Sequence, residues 1–238
     1  LERRDFLKTC AVSATLVASG VVFLNDARAA DLPVTMYKKA LLTDANGKPI
    51  WFDTITPDAP FMFNYPFAST PNFLLFLDLP IKAMSYSTND GNKYTAPGGV
   101  GKGNNLVAYS AICPHQWSYP TKDFTVVNYY GKKDQGCLQG VQLIKCCAHL
   151  SVFDPKICGK RVDGPAENHL AMIVLEADES KKEIYAVGVA GRNQYTEFFD
   201  LNKQELRKEY GSSAKAKEEV EKASVVRLEK YSKNIIKC

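Results

Sequence analysis

Leu106-Val107-Ala108-Tyr109-Ser110-Ala111-Ile112-Cys113-Pro114-His115 and its counterpart Val141-Gln142-Leu143-Ile144-Lys145-Cys146-Cys147-Ala148-His149 decide how this chain folds. Each begins as a short run of strand-forming residues and ends in a box of cysteine and histidine. A strand that runs straight into such a box places it on a loop at the strand end. Two loops of this kind, presented side by side, can clamp a small inorganic group between them. Thiolate and neutral imidazole are the side chains that iron and zinc take as ligands.

Working outward, Phe73-Leu74-Leu75-Phe76-Leu77 reads as a further buried strand, and residues 89–105, rich in Gly and Asn, read as a loop. The runs 171–175 and 184–189 read as a hairpin across the polar turn 178–182. Short strands at this spacing predict a mainly β domain, a small antiparallel sandwich or barrel. Residues 31–70 read as a polar, Pro-rich approach to it, broken by Pro57, Pro60 and Pro66. From about Leu201 the chain turns Lys- and Glu-rich, interrupted at Gly211-Ser212-Ser213. It reads as two helices, with Val225, Leu228, Tyr231 and Ile235 as a docking stripe toward the domain itself or a partner.

The N-terminus carries Arg3-Arg4-Asp5-Phe6-Leu7-Lys8, then an apolar run from Thr9 to Leu24, then Ala27-Arg28-Ala29-Ala30. Charged region, apolar region and small-residue site stand in the order of an export signal. The paired arginines resemble a twin-arginine signal, the route of prefolded, cofactor-loaded proteins. As a helix the apolar run spans about 24 Å, short of a bilayer core of about 30 Å, though flanking residues extend it. An uncleaved membrane anchor with the domain on the periplasmic side is the expectation. The 238 residues carry a net charge of +4. Without a dense basic stripe, nucleic acid is not an expected partner.

Cys-x-His followed by Cys-x-x-His, as in Cys113-Pro114-His115 and Cys146-Cys147-Ala148-His149, resembles the ligand pattern of the Rieske iron–sulfur family. The flanks fit the same resemblance: Ser151-Val152-Phe153-Asp154-Pro155 after the second box, and Gly164-Pro165-Ala166 as a loop covering the cluster. The likeness extends over roughly residues 100–190. It implies a Rieske-type antiparallel β fold holding a 2Fe–2S cluster, with Cys113 and Cys146 on one iron and His115 and His149 on the other. Replacing two cysteines by histidines raises the potential, to roughly −150 to +300 mV against about −400 mV for all-cysteine clusters of plant type. Ser151 would donate its hydroxyl to a cluster sulfur. The implied organisation is a signal or anchor helix over 1–30, a linker over 31–45, the Rieske domain over 46–200 and a helical extension over 201–238.

Departures from the family pattern carry information. Ser118 and Ala148 stand where many members have the cysteines of a disulfide between the two loops. In an oxidising compartment, a Cys137–Cys158 pair is the proposed replacement; participation of Cys147, or three free thiols, are the competing readings. Phe153 stands where high-potential members have a tyrosine that donates to a ligand thiolate, so a lower potential is expected. The stretch from Gln116 to Lys145 is long for the family. It reads either as an insertion that shields the cluster or meets a partner, or as a surface hairpin without a role.

A structural zinc site is the competing metal centre, but such sites usually draw paired cysteines from one short turn. A ring-hydroxylating oxygenase needs a further iron held by two histidines and a carboxylate. The chain has three histidines, and His169 alone remains after the boxes, so that class is excluded for this chain by itself. A cytoplasmic ferredoxin conflicts with the export signal. Two membrane-linked complexes stay open. Local wording resembles the small subunit of arsenite oxidase, whose partner is a molybdenum subunit. The layout also resembles the Rieske subunit of a quinol–cytochrome c oxidoreductase, with cytochromes b and c as partners. In the second, His149 would be the catalytic group, taking the quinol proton as the electron passes; in the first, the same edge conducts an electron only.

Overall fold

Why the apolar runs form strands is visible in what they bury. The computed structural model describes residues 34–134 and 141–238. Strand β1 spans Thr35–Thr43, β2 Phe61–Asn64, β3 Pro71–Phe76, β4 Met84–Ser87, β5 Lys93–Ala96 and β6 Leu106–Ser110. Then follow β7 Phe124–Thr125, β8 Val127–Tyr130, β9 Leu143–Cys146, β10 Ser151–Asp154, β11 Lys160–Asp163, β12 Met172–Asp178 and β13 Glu183–Ala190. The final part holds helices α1 Tyr195–Leu201, α2 Lys203–Tyr210 and α3 Ser213–Ala216, strands β14 Lys222–Ser224 and β15 Val226–Arg227, the single turn α4 Leu228–Tyr231, and β16 Asn234–Ile235. The fold is therefore mainly β, as expected. The continuous runs of β3 and β6 are buried on both faces, which is why they lack the alternation of a half-exposed strand.

Eight strands form the large sheet in the order β14-β1-β13-β12-β6-β3-β2-β15. The hairpin expected over 171–189 is β12 and β13, paired antiparallel from Met172↔Ala190 to Asp178↔Glu183. The sheet's two edges, β14 and β15, are joined in the chain by Val225 alone, whose N–H donates to Thr43 O at 2.7 Å. The sheet is thus nearly closed into a barrel, and closure removes the exposed edges that invite pairing with other chains. A smaller antiparallel sheet runs β11-β10-β9-β8. One apolar cluster, with Phe73, Leu75, Val107, Tyr109, Val127, Ile144 and Phe153, unites the inner faces of both sheets. The buried Tyr109 hydroxyl donates to Pro155 O at 2.7 Å across the same junction.

The structure departs from two sequence expectations. The proposed 31–45 linker contains β1, which pairs with β13 antiparallel and with β14 in parallel. Its two lysines, Lys38 and Lys39, gave it a polar look, yet both are exposed and ion-paired while Ala40 and Leu42 are fully buried. The helical tail is helical only in its first part. α2 ends at Gly211, whose φ of 81° is the left-handed turn that glycine favours. Beyond it, the stripe Val225, Leu228, Tyr231 and Ile235 does dock on the domain, but through β15, one helical turn and β16 rather than a helix. The expected signal or anchor over 1–30 lies outside the described residues. No helix among the described residues is long and apolar enough to cross a membrane.

Candidate metal centre

The first box leaves the end of β6. Cys113 N–H donates to Ser118 O at 2.8 Å, and Trp117 N–H donates to Cys113 O at 2.9 Å. These two bonds close residues 113–118 into a loop, with Trp117 at φ 57° at its tight point. The second box is a tight hairpin turn. Cys146, the last residue of β9, pairs with Ser151, the first of β10. Leu150 N–H returns to Cys146 O at 2.8 Å, with Leu150 held at φ 65°. β6 belongs to the large sheet and the β9–β10 hairpin to the small one, so the site lies where the two sheets meet.

Cys113, His115, Cys146, His149 and Ser151 come together there. Cys113 and Cys146 are buried free thiols. The hydrogen bond they share is the strongest influence on the titration of each. It draws the Cys146 thiol below its ordinary value, helped by the backbone N–H groups of Ala148 and His149 and the Ser118 hydroxyl. The same bond, and then burial, pushes Cys113 up. Of the two thiols, Cys146 is thus the more acidic and Cys113 the less. His115 N–H and the Ser151 hydroxyl donate to the Cys113 sulfur.

The imidazoles form the second pair. The rings of His115 and His149 meet edge to face, with centroids 4.7 Å apart. His115 Nδ1 is buried and has no hydrogen-bond partner. A buried ring nitrogen without a partner forfeits its hydrogen bond to water, and a bound metal is one group that would offset the loss. His149 is exposed to solvent. Among the described residues no three of these side chains converge on a single ion position; the set is a thiol pair beside an imidazole pair. Two thiols with two imidazoles are a donor set that a two-iron cluster with differentiated irons takes, and that a single tetrahedral zinc takes as well.

The covering loop is present too. Gly164 has φ 83°, and a Cβ there would lie 2.4 Å from Ser151 Cα. That close approach lets Ala166 N–H donate to Ser151 Oγ at 3.1 Å. Ser151 thus links the loop to the Cys113 sulfur. Phe153 is fully buried among the same apolar residues. His169 lies apart from the set: its Nδ1 accepts from Arg161 N–H at 3.1 Å, and its ring packs on Tyr86.

The disulfide expectation is overturned. Cys158 is a buried free thiol donating to Lys82 O at 3.2 Å, so it is not paired with Cys137, which lies outside the described residues. Cys147 bonds instead to Cys238, with Cα atoms 5.7 Å apart and 91 residues between them in sequence. The sequence reading weighed Cys147 but not Cys238, whose distance of 91 residues along the chain gives no local signal of the pairing. The long stretch between the boxes supplies β8, which pairs Val127 with Cys146. Ser118, noted only as a missing cysteine, is a donor to Cys146.

No protein-family model matches the chain. Among solved structures it is similar to the soluble domain of the Rieske protein II (soxF) from Sulfolobus acidocaldarius. That likeness has a TM-score of 0.47 and 23% sequence identity, over 64% of this chain and 78% of the other. A likeness at that level carries no functional argument, and the residues of the site must supply it.

Proposed function

We infer that this chain is a Rieske-type electron-transfer protein. Cys113 and Cys146 would hold one iron of a 2Fe–2S cluster, and His115 and His149 the other. The observation that carries the reading is the buried, partnerless Nδ1 of His115, set against the His149 ring and beside the thiol pair. When bound, such a cluster takes up and returns one electron at a time. The protein's part is to bind, tune and expose. Cys113 and Cys146 are kept from bulk water by burial. The N–H groups on Cys146 and the Ser151 hydroxyl on Cys113 favour negative charge at the sulfurs. Phe153 offers no such donor, which supports a potential below that of high-potential family members. His149, exposed at the edge, is where a partner can approach.

The wider reading is an electron-transfer subunit of a membrane-anchored, periplasm-facing respiratory complex, exported by the twin-arginine-like N-terminus. An arsenite-oxidase-small-subunit-like lineage, with a molybdenum partner, is favoured by the absence of cysteine at Ser118 and Ala148 and by Phe153. The alternative is a quinol–cytochrome c oxidoreductase, in which His149 would accept the quinol proton. Haems b and c in the purified complex would favour the alternative, and molybdenum without haem b the first.

The test is chemical analysis of the full chain. Two irons and two acid-labile sulfides per chain are expected, and Cys113→Ser or Cys146→Ser should abolish both. Stoichiometric zinc without sulfide would contradict the reading.

A further inference from the structure

Cys147 stands between Cys146 and the two backbone N–H groups, of Ala148 and His149, that donate to the Cys146 sulfur. It is fixed from two sides. Its N–H donates to Val126 O at 2.7 Å, and its sulfur is bonded to Cys238.

The segment that delivers Cys238 is itself tied along its length to residues 121–134. Ser232 Oγ donates to Thr121 O at 2.5 Å. Asn234 and Ile235 pair in parallel with Phe124 and Thr125. Asn128 Nδ2 donates to Ile236 O at 2.7 Å, and Lys237 is ion-paired with Asp134. At the end, Cys238 N–H donates to the Tyr130 hydroxyl at 3.0 Å, and that hydroxyl lies 3.5 Å from Cys147 Sγ.

We propose that the Cys147–Cys238 disulfide and Tyr130 form a positioning device, a C-terminal strap that holds the 147–150 turn so that its N–H groups stay on the Cys146 sulfur. The turn needs holding. Leu150 sits at φ 65°, a left-handed conformation that a non-glycine residue leaves when nothing opposes it. Donors kept on a sulfur stabilise the more negative state of the centre, and donors that drift away do not. The strap would therefore raise the potential of the site, and it rests on the reading of that site as a cluster holder. None of its members is a ligand: Cys147, Cys238 and Tyr130 act through Cys146.

The experiment compares the full chain with Cys238→Ser and Tyr130→Phe by redox titration and by amide hydrogen exchange. In Cys238→Ser the cluster should still assemble, and the Ala148 and His149 amides should exchange at least about tenfold faster. The reduction equilibrium should fall about tenfold, which is about 59 mV for one electron. Tyr130→Phe, which keeps the ring and the disulfide, should shift both readings the same way by less. Equal potential and equal exchange in the wild type and Cys238→Ser would overturn the strap. If Cys238→Ser does not fold, the Tyr130→Phe comparison decides, and an unchanged potential there would overturn it. A wild-type chain without iron and sulfide would sink the cluster reading alone, since the exchange rates at Ala148 and His149 still test the strap.

Discussion

At Gly164 the backbone turns through φ 83°, and the nearest atoms to a Cβ there would be the backbone of Leu150 and Ser151. Backbone cannot swing aside as a side-chain tip can. Gly164→Ala should therefore destabilise the domain by about 2–4 kcal/mol, combining left-handed strain with the clash. A lowered urea midpoint with unchanged slope would show it; a midpoint equal to wild type would mean that the loop does not seat on Ser151. Much of the candidate site was legible at this scale because its residues are neighbours in sequence. Cys113 and His115, or Cys146 and His149, stand within one turn of each other and announce themselves. What was hidden is tertiary. That Ser118 faces Cys146, or that His115 Nδ1 is buried without a partner, depends on how two sheets meet.

Among the elements, the last part of the chain does more than its composition indicates. β14 and β15 close the large sheet, and β16 pairs with β7. Val226→Pro should open that closure. Val226 pairs antiparallel with Met62, and proline both removes a donor and resists a paired strand position. A loss of about 2–3 kcal/mol, with hydrogen exchange rising in β2 and β14 together, is the expected outcome; exchange confined to 224–228 would mean that the barrel holds without its closure. Strands such as β3, β6, β12 and β13 could be read in advance because each has its own run of apolar residues. β14, β15 and β16 have two or three residues each. They exist only through partners far away in sequence, and the lysines and glutamates that flank them look like helix surface. The same reasoning applies to β1, whose inward residues are interrupted by exposed lysines. It applies also to Cys147 and Cys238, separated by 91 residues. By the chain-entropy account, a loop of that size contributes roughly 4–5 kcal/mol when closed, so the terminus matters to stability as well as to the turn it holds.

For the whole molecule, the arrangement is a nearly closed sheet with a smaller sheet set against it, and the two Cys/His loops brought together at their junction. Burial of the thiols and exposure of His149 give that junction an inside and an outside. The sulfurs sit where donors can be fixed around them, and one imidazole edge sits where another molecule can reach it. On the proposed reading, that exposed edge is where an electron would pass to or from a partner. If the proposed reading holds, histidine nitrogens ligate a 2Fe–2S cluster in this chain. The most direct measurement is pulsed electron paramagnetic resonance on the reduced full chain, labelled with ¹⁵N only at histidine. Two inequivalent histidine nitrogens coupled to the electron spin are the predicted result, with one lost in His149→Cys while the cluster remains. A cluster signal without histidine coupling, or no iron-based signal at all, would contradict the account.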